Sequence, residues 1–249
     1  MGTVVTIDIF GENYHDLLQI ARSVDAAEGI LREADEVFST WKPQSPLSRL
    51  RRGELTIGEV PTVIADVLDE CRIAKRVSRG WFDPWSIPGG VDPTGLVKGW
   101  AAQRALDPLR ELDLTGVLIN AAGDIASFGG PVHGEPFRIG VVCPGDLKRL
   151  ACVVESPGAV ASSGTYERGN HLVNPFTGAS ISTVSATVTG PELGLADALA
   201  TALAVAGRVG LEFFSSLKNY EGLVIETTDN VYASEGFPMA ETFLSGRPS

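Results

Sequence analysis

The sequence predicts an α+β fold, with mixed sheets and packed helices. Three observations carry that expectation. Two long segments repeat apolar residues at helical spacing, several short segments are rich in β-branched residues, and the two kinds follow no regular β–α–β rhythm. The 249 residues, 44% of them hydrophobic, can bury a substantial core. No repeat, low-complexity tract or linker divides them, so a single domain over residues 1–249 is expected.

In chain order, residues 3–10 read as a strand. Residues 14–38 place Leu17, Ile20, Ala21, Val24, Ala27, Leu31, Ala34 and Phe38 on one helical face. Ser39 to Ser48 is turn-rich around Pro43 and Pro46. Residues 60–78 repeat the helical pattern, and Gly80 suits its stop. Residues 81–97 form a loop dense in Pro and Gly, and Lys98 to Leu109 reads as a helix. Gly116 to Asn120 and Phe137 to Val142 read as buried strands, and 150–163 as two short ones. Thr183 to Thr189 alternates like a strand, Leu195 to Ala206 is a helix of small residues, and strands near 223–226 and 231–233 close the fold.

Charge and cysteine usage exclude several functions. Acidic residues outnumber basic ones 31 to 20, for a net charge of −11, the reverse of what an electrostatic nucleic-acid binder shows. An anionic ligand would need a metal or local N–H donors against that background. Cys71, Cys143 and Cys152 form no CxxC pair, so buried free thiols are expected rather than a zinc cage. No uninterrupted run reaches the ~18 apolar residues of a bilayer span. The first residues carry no basic region of a signal peptide, so a cytoplasmic setting is expected, unless a leader was trimmed.

Standard catalytic signatures fail one by one. Gly90 to Gly95 has phosphate-loop spacing, but Leu96 stands where Lys is required. No GxGxxG follows a strand, and Ser162-Ser163-Gly164 lacks the leading glycine of a nucleophile elbow. Four polar clusters remain, in segments where glycine permits close backbone approach: 80–84 with 92–99, 120–124, 162–171 and 197–201. Asp197 and Thr201 stand four apart, on one helical face. Two readings of that pair stay open. They are hard oxygen donors for Mg²⁺ or Ca²⁺, or an acid favoured by a helix N-terminus beside a threonine bonded to a carbonyl.

The ordered set of clusters resembles the ApbE family of FAD:protein FMN transferases. The shared pieces are Met1-Gly2-Thr3, Phe38-Ser39-Thr40-Trp41, Phe82-Asp83-Pro84, Asp92 with Lys98-Gly99-Trp100, and Asn120 to Ile125. Ser162-Ser163-Gly164 with Arg168, His171, Pro175 and Thr177-Gly178, then Asp197 to Thr201, complete the set. The resemblance implies an α+β fold with an FAD cleft and Mg²⁺-dependent transfer of FMN from FAD to a Ser or Thr hydroxyl of a target flavoprotein, releasing AMP. FAD hydrolysis to FMN and AMP, or FAD binding without turnover, are the alternatives.

By that resemblance, Asp197, Thr201 and the carbonyl of Gly95 would hold the metal. Met1 would sit in the flavin cleft, Trp41 would form an aromatic wall, and Ile181 would cover the isoalloxazine. Trp81, Phe82 and Asp83 would line the nucleotide site. Asp92 and Lys98 would meet polar groups of FAD, and Ser163 and Gly164 would donate near the phosphates. His171 would be the general base, and Arg168 would brace its loop or meet a phosphate. Each has a plainer reading as well: Trp41 as a packing anchor, Lys98 as a solvated helix residue, His171 as a structural histidine, Asp124 as a turn former. Three positions depart from the family pattern: Asn174 stands for Asp, Ala122 for Gly and Ser162 for Thr.

Overall fold

Side chains on successive strand residues point to opposite faces, and that parity builds two apolar layers here. The computed structural model describes residues 3–12, 16–144, 146–156, 158–164, 174–179, 184–226 and 229–244. The strands are β1 (Val5–Phe10), β2 (Gly116–Ala121), β3 (Asp124–Gly129), β4 (Arg138–Cys143) and β5 (Asp146–Glu155). They continue with β6 (Ala159–Gly164), β7 (Val184–Gly190), β8 (Glu221–Glu226), β9 (Val231–Ala233) and β10 (Met239–Thr242). A seven-stranded sheet runs β1-β2-β3-β6-β7-β8-β9, and its neighbouring strands are antiparallel. A second sheet orders β10-β5-β4.

Ala126, Ala159, Ala161 and Val224 face one core, which the helices complete. Ile125, Val160, Leu223 and Ile225, one residue out of phase, face a second core with Cys152 and Val154 of the small sheet. The large sheet is thus packed on both faces. Cys71, Cys143 and Cys152 are free and buried, as expected. Burial pushes the Cys71 and Cys152 thiols up to about 12.

The helices are α1 (Leu17–Phe38), α2 (Pro46–Arg51), α3 (Thr62–Val77), α4 (Thr94–Ala105), α5 (Asp107–Arg110) and α6 (Leu193–Ala206). Asp16 caps α1 by accepting from Gln19 N–H at 2.9 Å. Several elements differ from the sequence reading. The turn-rich segment after Phe38 contains α2, with Ser45 as N-cap and Pro46 in its first turn. α4 begins at Thr94, four residues before the expected start, and breaks at Leu106 because Pro108 opens α5. β4 is an edge strand with exposed and half-buried positions rather than a buried one, and β3 and β10 were not anticipated.

A 3-10 helix, Gly207–Ser216, extends α6. Leu193–Ser216 together is long and apolar enough by composition to cross a membrane, with a mean hydropathy of 1.4. Its most apolar 18-residue stretch is 61% buried, and α6 residues pack into the helical core.

Candidate active site

The site begins with a missing side chain. A Cβ on Gly99 would collide with the Leu193 carbonyl oxygen and approach Asp197 Cβ at 3.0 Å. A Cβ on Gly194 would come within 3.2 Å of Trp100 Cβ. Glycine at both positions therefore lets α4 and α6 touch backbone to backbone. Gln103 Oε1 secures the crossing by accepting from Leu193 N–H at 3.1 Å, which caps α6.

This crossing buries Asp197 to 3% exposure and brings Gly99 N–H to its Oδ2 at 3.1 Å. Gly95 stands one turn before Gly99 on α4, and a carbonyl oxygen keeps a second lone pair beyond its helical hydrogen bond. Thr201 lies one turn beyond Asp197. Its Oγ1 would be 3.4 Å from a Cβ on Gly95, and it stands 3.3 Å from Ser163 Oγ at the end of β6. A carboxylate, a hydroxyl and a carbonyl-bearing glycine from two helices thus converge, with a serine hydroxyl beside them. Phe82 is buried and also packs on Gly95, so it forms the floor of this cluster.

The second carboxylate is Asp124. Ala122 and Gly123 both have positive φ, 52° and 94°, as a type I′ hairpin turn between β2 and β3 requires. Asn120 Oδ1 accepts from Gly123 N–H at 2.8 Å and holds that turn. Asp124 follows immediately, and its side chain is fully buried. Its Oδ2 lies 2.6 Å from Lys98 Nζ, and its Oδ1 accepts from Ser162 N–H at 3.2 Å. Asp124 and Asp197 are close enough for each acid to perturb the other. Burial raises both above the ordinary carboxylate range. Asp197 rises further because Asp124 stands beside it, whereas the Lys98 ammonium opposes the rise at Asp124. Two buried acids share one lysine, an arrangement that favours an added cation.

The rim is different in kind. Trp41 is 89% exposed. Its loop is pinned from below: Ser39 Oγ accepts from Trp41 and Lys42 N–H at 3.3 and 3.2 Å, and Ser48 Oγ donates to Ser39 O at 2.9 Å. Trp41 borders a 60 Å³ pocket with Thr94, Val97 and Lys98, and a cleft of about 370 Å³ with Arg51, Arg52 and Asp92. Asp92 is paired to Arg51 at 2.9 Å and accepts from Thr94 N–H at 3.1 Å. Asp83 is paired to Lys75 at 2.7 Å and accepts from Trp85 N–H at 3.1 Å. Trp81 packs edge-on against Phe176, with ring centroids 4.9 Å apart.

Of the residues singled out from sequence, Gly95, Lys98, Ser163, Asp197 and Thr201 come together, with Phe82 beneath them. Gly164 ends β6 beside them, buried. Trp41 and Asp92 stand at the cleft. Trp81 and Asp83 belong to the neighbouring loop. Met1, Arg168, His171 and Ile181 lie outside the described residues. Among the described residues, no cluster of three His, Cys, Asp or Glu could bind a metal. The oxygen set above draws on only one such residue at its centre. Sequence reasoning placed Asp124 only within the Asn120–Ile125 motif and read it as a turn former, and it missed Arg51 and Arg52, which carry no motif. Asn174 retains the turn that an Asp would make, since its Oδ1 accepts from Phe176 and Thr177 N–H at 2.9 and 3.2 Å.

Comparisons with known proteins identify the family. The ApbE family matches residues 1–89 and 86–224. A curated relative, a FAD:protein FMN transferase of Haemophilus influenzae, is 27% identical over 158 residues. That match covers 58% of this chain but only 46% of the relative, so it spans about half of the relative's length. Among solved structures, the flavin transferase ApbE from Vibrio cholerae superposes with a TM-score of 0.77 at 24% identity, over 95% of both chains. The ApbE protein of Thermotoga maritima gives 0.80 at 20% identity over 94% of each. The fold is the one those proteins share, and the chain belongs to the ApbE family.

Proposed function

We propose that this protein transfers FMN from FAD to a Ser or Thr hydroxyl of a target protein, with Mg²⁺, and releases AMP. The observation that carries the reading is the convergence of Asp197, Thr201 and Gly95 beside the Lys98–Asp124 pair. These residues suit a hard divalent cation. Their donors are all oxygen, the carboxylate is buried with a second acid against it, and any side chain at 95 would crowd the space beside Thr201. Asp197, Thr201 and the Gly95 carbonyl would hold Mg²⁺, which when bound would offset charge on the phosphoryl oxygens.

The chain's own residues supply the rest. Lys98 presents an ammonium at the inner end of the pocket that Trp41 borders, where it would attract a pyrophosphate. Ser163 offers a hydroxyl and Gly164 a backbone donor on the β6 side. Trp41, exposed on a pinned loop, would stack on the cofactor at low ordering cost. His171 would take the proton as the acceptor oxygen bonds to the FMN-side phosphorus. The bond from that phosphorus to the AMP oxygen then breaks, and AMP leaves. Two anionic products and an anionic transition state explain why so acidic a chain needs local positive charge.

One assay tests the reading. The protein is incubated with FAD, Mg²⁺ and an acceptor protein carrying a Ser/Thr-Gly-Ala-Thr segment, and both AMP and protein-bound fluorescence are followed. Covalent flavin on the acceptor with matching AMP is the expected result. AMP without labelled acceptor would make the protein a FAD pyrophosphatase. Tight binding of unchanged FAD would make it a carrier.

A further inference from the structure

Two buried carboxylates compete for one ammonium in the inner cluster, and the structure shows how the competition is decided. Lys98 and Gly99 are adjacent on α4, yet they serve different acids. Gly99 N–H reaches Asp197 at 3.1 Å, whereas Lys98 Nζ sits on Asp124 at 2.6 Å. A lysine stem is long and flexible enough to reach either carboxylate from this position. Asp124 is held rigidly for its part: its other oxygen is fixed by Ser162 N–H, and the tight turn at Ala122-Gly123 sets its place on β3.

We infer that Asp124 is a positioning residue that keeps the Lys98 ammonium off Asp197, leaving Asp197 available to a divalent cation. An ammonium seated on Asp197 would have to be displaced before a cation could bind there, and it would no longer face the pocket beside Trp41. Asp124 thus acts on two ligands through one lysine. The inference rests on the cation site of the proposed function, but it makes a structural claim that can be read without activity.

The variant is Asp124→Asn, which keeps the side-chain shape and the acceptor for Ser162 N–H while removing the charge. In cation-free crystals of this variant, Lys98 Nζ should move to Asp197, and Lys98 remaining at position 124 or turning to solvent would overturn the inference. By calorimetry, Mg²⁺ affinity should fall by about tenfold or more in Asp124→Asn, and should recover to within about threefold of wild type in Asp124→Asn/Lys98→Met. A double variant as weak as the single one would contradict capture by Lys98. If Asp124→Asn does not fold, wild-type crystals grown with Mg²⁺ decide the matter: Lys98 should stay on Asp124, and finding it on Asp197 would refute the assignment. If wild type binds no Mg²⁺ at all, the metal assignment falls, while the position of Lys98 in the variant still tests the positioning claim.

Discussion

The inner cluster and the rim of the cleft use the same residue types for opposite ends. At the rim, Asp83 and Asp92 each have a cation of their own, Lys75 and Arg51, and each also accepts from a nearby backbone amide. Their charges are balanced locally, and they tie the loop to α3 and α2. In the interior, Asp124 and Asp197 have one lysine between them, seated on Asp124, and burial disfavours the charged form of both. Balanced acids hold a scaffold together; unbalanced buried acids cost stability and are retained where a ligand completes them.

That contrast can be broken most sharply at Asp197. Asp197→Ala should reduce FMN transfer by a factor on the order of 10³ while leaving the fold intact, because it removes the charged metal donor. Turnover that survives the change would refute the metal assignment. Gly99→Ala attacks the geometry instead. Its Cβ would meet the Leu193 carbonyl, so a loss of about 3 kcal/mol in a urea titration is expected, with activity falling in step. A smaller loss would mean that the α4–α6 crossing can open without harm.

The rim should respond more weakly. Trp41→Ala should leave stability unchanged to within about 0.5 kcal/mol, since the ring is exposed. FAD affinity should drop by about tenfold, as expected for a lost stacking partner. Unchanged affinity would make Trp41 a bystander. Ala122→Gly should stabilise the protein by about 1 kcal/mol, because Ala122 occupies the left-handed region at φ 52°. Asp83→Asn should be nearly silent in activity, and a large loss would show that this acid touches the substrate rather than the loop.

The fold class was legible because helical and strand periodicities are strong in Leu17–Phe38, Thr62–Val77 and Val184–Gly190. β3 was not, because its start is hidden in a turn motif and its Ala126 and Ser127 carry little apolar signal. α2 was hidden by the flanking Pro43 and by Pro46, which in fact opens it. In the site, Asp197 and Thr201 could be paired from their spacing alone. Lys98 and Asp124 could not, because 26 positions of chain separate them and only the β2–β3 hairpin against α4 brings them together. The competition between two acids for one lysine is a property of packing, which no local motif records.

The most direct test is the mass of an acceptor protein after incubation with FAD and Mg²⁺, with wild type and with Asp197→Ala. The account predicts one FMN added covalently per acceptor by wild type, at a Ser or Thr, and none when Asp197 is replaced or Mg²⁺ is chelated. An acceptor that gains no mass with wild type, or gains it equally with Asp197→Ala, would contradict the account.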